Sequence, residues 1–191
     1  MTVKLIPKLL ATILSAACLL TGCQPPKAVS ASGSGAAPST RNNCYSLLHQ
    51  LLDEQKNVSL LRFIKREHPD VKDLVKRIAA ASGAGAKVLE GFARHDPSIK
   101  LDDIRLPSGE MATRQAIAST EKKELLSQTG DTFELTLLLT QTEALSYARH
   151  LAKVAGENES QPARGRALAD MGEDMEKLYH EAFTMLLSKS K

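Results

Sequence analysis

The chain's five histidines, His49, His68, His95, His150 and His180, are its most versatile chemical groups, since imidazole serves as ligand, acid or base near neutral pH. Their spacing excludes the common helical metal faces. No two of them lie three or four residues apart, and no Glu-x-x-His pair occurs of the kind that helices of a di-iron bundle contribute. Glu176 and His180 do stand one helical turn apart, a spacing that surface charges often share, and they read first as such a surface pair. Ser, His and Asp are all present, yet there is no Gly-x-Ser-x-Gly elbow to present a nucleophile. Gly83-Ala84-Gly85 lacks both a preceding strand and a Gly-Lys-Ser/Thr, so it is no phosphate loop. The expectation is therefore a protein that is not an enzyme, with no catalytic residue, no metal site and no cofactor.

One residue does carry chemistry. Leu20-Thr21-Gly22-Cys23 follows a basic start (Lys4, Lys8) and an apolar run from Leu9 to Leu20. That run of 12 residues falls short of the roughly 20 that a bilayer-spanning helix needs, and it ends in small residues as a signal peptide does before its cleavage site. The four residues resemble the Leu-x-Gly-Cys lipobox of bacterial lipoproteins. The resemblance implies that the Cys23 thiol receives a diacylglycerol, that residues 1–22 are removed, and that the freed amine of Cys23 is acylated. With two or more acyl chains anchoring is stable, so the domain beyond needs no lipid contact of its own. Gln24 stands where an aspartate would resemble the inner-membrane retention signal, which favours the outer membrane.

Removing residues 1–22 takes two of the 25 basic residues and none of the 22 acidic ones, leaving a nearly neutral chain. A nucleic-acid partner is not implied, because there is no Trp, aromatics are few, and acids are interspersed among the bases. Residues 23–40, the lipidated cysteine and the Ser-, Ala-, Gly- and Pro-rich stretch Gln24 to Thr40, hold almost nothing to bury and form a flexible linker. Its 17 residues after Cys23 would average about 20–25 Å end to end as a coil, keeping the domain near the membrane. Residues 41–191 are long enough for one domain with a sizeable core.

Within that domain apolar residues recur three and four apart, and no stretch alternates with a period of two, so every element is expected to be helical. The first segment runs from about Asn43 to Glu67, with Leu48, Leu51, Leu52, Gln55, Val58 and Leu61 on one stripe. His68-Pro69-Asp70 ends it and starts the second, because the residue before proline is driven out of the helical region while proline suits a first turn. That second segment, to about Ala93, has Val71, Leu74, Val75, Ile78, Val88, Leu89 and Phe92 as apolar positions. Gly83 and Gly85 in its middle each cost about 1 kcal/mol against alanine, which points to a neighbouring helix packed close. Arg94 to Gly109 reads as a crossover loop and Glu110 to Gln128 as a shorter helix stopped by Gly130. Asp131 is placed to cap the next, Thr132 to Ala155, which carries Phe133, Leu137, Leu138, Leu145, Ala148, Leu151 and Val154. Pro162 opens the last, which runs to Ser188. The fold class is all-α: an up-and-down four-helix bundle with one crossover and a short extra helix.

Three further features test that arrangement. Gln55 and Gln141 sit on apolar stripes, where a buried amide must find a partner; they bond each other to fix register, or bond a ligand. Met171, Met175 and Met185 read as core filling. Cys44 is the only thiol left after Cys18 is cleaved and Cys23 acylated. It can form no internal disulfide, is placed to be an inert or half-buried thiol, and is otherwise free to pair between molecules; its position at a helix start would lower its pKa a little.

The text from Glu54 to Glu67, the His68-Pro69-Asp70 junction, Leu106-Pro107, Gly130-Asp131-Thr132-Phe133 and the late His180 together resemble a widespread uncharacterised bacterial periplasmic family with a ferritin-like bundle. The likeness covers about residues 50–187. Where that family has an Asp-His pair late in its second helix, this chain has Gly83, Ala84 and Gly85, so the resemblance implies a fold without implying that metal role. The favoured expectation is an outer-membrane-anchored, non-enzymatic bundle facing the periplasm and binding another envelope protein. Its alternatives are a ferritin-like metal- or cofactor-binding protein, and a carrier of a small apolar ligand between helices, suggested by the small residues of helix two.

Overall fold

The computed structural model describes residues 40–59 and 68–190, folded into helices joined by turns and loops. They are α1 (Thr40–Gln55), α2 (Pro69–His95), α3 (Ser108–Ser127), α4 (Gly130–Glu157) and α5 (Pro162–Lys189). Residues 1–39, which include the lipobox and most of the linker, lie outside the described residues, as does the segment 60–67 with Leu61.

Four of the helices close a bundle in which α1 packs on α2 and α4, and α5 packs on α2 and α4. All four of these neighbouring pairs are antiparallel. At one end of the bundle lie the start of α1, the end of α2, the end of α4 and the start of α5, joined through Tyr45, Asp96, Glu159 and Arg164. The opposite end joins the entry to α2, the start of α4 and the end of α5, where the His68 N–H and the Lys189 ammonium both meet the Glu134 carboxylate. The crossover is thus made by α3, which carries the chain back along the bundle against α4.

Local chemistry explains most of the boundaries. His68 is extended at φ −62°, ψ 145°, and Pro69 begins α2, as the dipeptide demands. Pro162 likewise begins α5. Gly130 carries the reversal between α3 and α4 at φ 61°, the left-handed region in which a side chain is strained. Thr129, not Asp131, occupies the N-cap of α4; Asp131 sits inside the first turn, where its charge faces the helix's positive end. α1 begins at Thr40, ahead of Asn43, and stops at Gln55, short of Val58. The Asn57 amide donates to the Asp53 carbonyl at 3.1 Å and takes an acceptor left over at the helix end, competing with another helical turn.

Fully enclosed side chains come from every bundle helix: Tyr45, Leu48 and Leu52 from α1, Leu74, Ile78 and Leu89 from α2, Phe133, Leu137, Leu138 and Leu145 from α4, Leu168 and Met175 from α5. Each such burial stabilises by about 1.5–3 kcal/mol relative to exposure, before the entropy of ordering the chain is subtracted. Val88, expected on the apolar stripe, faces outward, since its neighbour Leu89 takes the inward position and adjacent helical residues diverge by about 100°. The two glycines of α2 have different roles. A Cβ on Gly85 would come within 2.9 Å of a Leu52 methyl and 3.3 Å of the Met171 sulfur, whereas one on Gly83 would rest 3.7 Å from Lys56 Cβ. Gly83→Ala should therefore stabilise the domain by roughly 0.5–1 kcal/mol, and Gly85→Val should cost about 1–3 kcal/mol by overpacking, differences that urea denaturation will resolve.

Candidate functional site

The residues singled out by sequence fall into separate places. Gln55 and Gln141 come together in the core: the Gln55 amide donates to the Gln141 carbonyl oxygen at 3.4 Å, and the Ser82 hydroxyl donates to Gln55 at 3.2 Å, so α1, α2 and α4 are held in register. Cys44 is buried, and burial pushes its thiol pKa up, against the lowering expected from a helix start; it is not presented for pairing between molecules. Met171 and Met175 fill the core. His180 and Glu176 are exposed and 3.7 Å apart, but Glu176 already accepts from Arg149 at 2.8 Å, as a surface ion pair would. Among the small residues of α2, the space above Gly85 is filled by Leu52 and Met171.

Among the described residues an open concave surface lies on the outer side of α4 and α5. Gly156, Gly165 and Gly172 line the crossing of these two helices, where a Cβ on Gly165 would sit 3.7 Å from the Gly156 carbonyl and one on Gly172 3.6 Å from the Arg149 carbonyl, ordinary packing distances. Beside that crossing runs a groove of about 530 Å³. Arg149, at the edge of that groove, belongs to a strip of rings and guanidinium groups that continues past a second hollow lined by Tyr147 and Tyr179. The Arg149 guanidinium lies 4.6 Å from the centre of the Tyr179 ring, Tyr179 stacks on Phe183 at 6.0 Å, and the Arg114 guanidinium of α3 lies 4.7 Å over Tyr147 while bonding its hydroxyl. Arg149, Tyr147 and Tyr179 are half-buried, and Phe183 and Leu187 are exposed. Aromatic rings and arginines held in fixed geometry at the surface are the groups that dominate protein recognition.

α3 extends this face. None of its residues is buried, and Ile117 is more than half exposed. The sequence marked it as a short extra helix and did not show which of its faces would stay open.

The bundle's ends are closed by ionic groups that sequence reading also missed. The Glu159 side chain is fully enclosed in the α4–α5 turn and accepts from the Tyr45 hydroxyl at 2.8 Å, the Gln161 N–H at 2.9 Å and Arg164 at 3.0 Å. Burial alone would raise its pKa; these donors and the Arg164 charge outweigh burial and hold it at about 2. Asp96, beyond the end of α2, is held at about 2 by the hydroxyl and N–H of Ser98 and by Arg164. On the α1–α2 side, His49 and Asp53 stand one turn apart with Glu90 opposite, three groups of metal-ligating type.

The sequence matches no protein-family model and no curated protein. In three dimensions the chain is similar to one described as a secreted DUF305 protein from Streptomyces coelicolor, with a TM-score of 0.64 at 17% identity, over 81% of this chain and 96% of that one. That likeness shows the all-helical fold. What fold and surface together define is a helical bundle with a fixed core and one elaborated outer face.

Proposed function

We propose that this chain is a bacterial envelope lipoprotein, tethered to the outer membrane through Cys23, whose α3–α4–α5 face binds a second envelope protein in the periplasm. The observation that carries the reading is α3: a helix of 20 residues without one buried side chain, held against α4 beside the arginine–aromatic strip. A helix gains most of its stability from burying one face, so α3 is placed to gain from a partner that covers it. An extracytoplasmic location is supported by the signal-like start and by the secreted origin given for the structural neighbour. Among the described residues no helix is long and apolar enough to cross a membrane.

A photo-crosslinking residue separates this face from the others. Placed at Phe183 or Ile117 in cells it should yield one discrete adduct with another envelope protein, and placed at Val88, exposed on α2, it should yield none. Equal adducts from all three positions, or none from any, would reject the face as a docking surface.

A further inference from the structure

We infer that His49, Asp53 and Glu90 form a binding site for a borderline divalent cation of the zinc, copper and nickel kind. His49 and Asp53 share one face of α1 because they are four residues apart, and the antiparallel pairing of α1 with α2 brings Glu90 to the same place. One ligand atom from each lies within 4.8 Å of the other two, and His49 Nε2 is 3.6 Å from Glu90 Oε1.

Three arguments favour an ion here over a chance meeting of surface charges. Two ligands about 2.0–2.1 Å from a tetrahedral ion are about 3.3 Å apart, so the imidazole and the Glu90 carboxylate, 3.6 Å apart, are already close to coordinating separation, with an Asp53 oxygen within 4.8 Å of both. Next, His49 Nε2 is shut off from solvent and has no hydrogen-bond partner, and a buried polar nitrogen left unbonded is costly unless something takes its lone pair. Finally, the Asp53 and Glu90 carboxylates stay open to solvent while the imidazole of His49 is mostly covered, so an ion can arrive from water at the carboxylates and meet the nitrogen behind them.

The donor set decides the class of ion. One imidazole and two carboxylates suit zinc and its neighbours, whereas calcium takes six to eight oxygens and magnesium a near-octahedral oxygen shell. Three protein ligands leave a fourth position for water. Lys56 is the built-in competitor, since its ammonium bonds and pairs with Asp53 Oδ1. An ion that captures Asp53 must displace that ammonium or use the other oxygen.

Zinc chloride titrated into the full chain in detergent, followed by calorimetry and thermal unfolding, tests the site. The expected result is one zinc ion per chain and a melting temperature that rises with zinc, because an ion held only by the native state stabilises it; magnesium should do neither. His49→Ala and Glu90→Gln should each weaken zinc at least tenfold, the lower limit of what losing even an outer partner of a metal ligand costs. Lys56→Gln should tighten it, because it frees the Asp53 oxygen and removes a repelling charge. His180→Ala, which removes the other histidine one turn from a carboxylate, should leave affinity unchanged. Zinc bound equally well by His49→Ala and Glu90→Gln variants that keep the parent's zinc-free melting temperature, affinity lost with His180→Ala, or no saturable zinc at all would each overturn the site.

Discussion

Glu159→Gln is expected to destabilise the domain by about 1–3 kcal/mol at neutral pH and to remove much of its acid sensitivity. The side chain is wholly enclosed and accepts from Tyr45, Arg164 and the Gln161 N–H, so it ties the α4–α5 turn to α1, while Arg164 passes the tie on to Asp96 after α2. An amide there accepts fewer bonds and leaves the Arg164 charge only half answered, the situation in which breaking a buried ion pair is most costly. The pH dependence follows from the pKa of about 2 in the folded state against an ordinary value of 4.5. A depressed folded pKa contributes stability that is complete above the unfolded value and is lost as pH falls through the folded one. For Glu159 the loss therefore runs from about pH 4.5 down to about pH 2, with Asp96 acting in the same direction from 3.8. At 1.36 kcal/mol per unit, Glu159 alone contributes at most about 3 kcal/mol. Urea denaturation at pH 7 and at pH 2.5 to 3 measures both quantities. The parent and variant curves should lie well apart at pH 7 and draw together in acid; a variant as acid-sensitive as the parent would show that Glu159 is not the group responsible.

Cys23→Ser should abolish maturation altogether. A thioether needs the sulfur of Cys23, and in proteins carrying this motif the peptidase acts on the lipidated precursor, so a hydroxyl in its place blocks both steps. The expected product retains residues 1–22, carries no acyl chain and has lost the stable anchoring that two or more chains supply. Intact mass of the protein from membrane and soluble fractions gives the answer directly. A Cys23→Ser protein that is still cut before residue 23 and acylated would dismiss the lipoprotein assignment while leaving the helical domain, and its cation site, untouched.

The helices themselves were legible in the sequence because their causes are local. Apolar residues three and four apart set the buried faces of α2, α4 and α5, Pro69 and Pro162 set two starting points, and Gly130 set one reversal. Gln55 and Gln141 announced themselves as partners for a similar reason: an amide on an apolar stripe has to be satisfied from across the core, and few candidates existed. What lay beyond the sequence is whatever depends on which helices become neighbours, and in what register. Glu159 and Arg164 looked like ordinary surface charges until folding placed Tyr45 and Asp96 around them. The full extent of α1 was overestimated, because the stripe continues through Val58 although a side-chain bond from Asn57 ends the helix. His49 and Asp53 already shared a helical face in the sequence, but periodicity says only that two groups point the same way; Glu90 was brought to them by the antiparallel pairing of α1 and α2. The outward face of α3 is likewise a tertiary fact, since a helix with apolar residues on several sides buries them only where a neighbour arrives, and here α4 covers one side and leaves Ile117 to solvent.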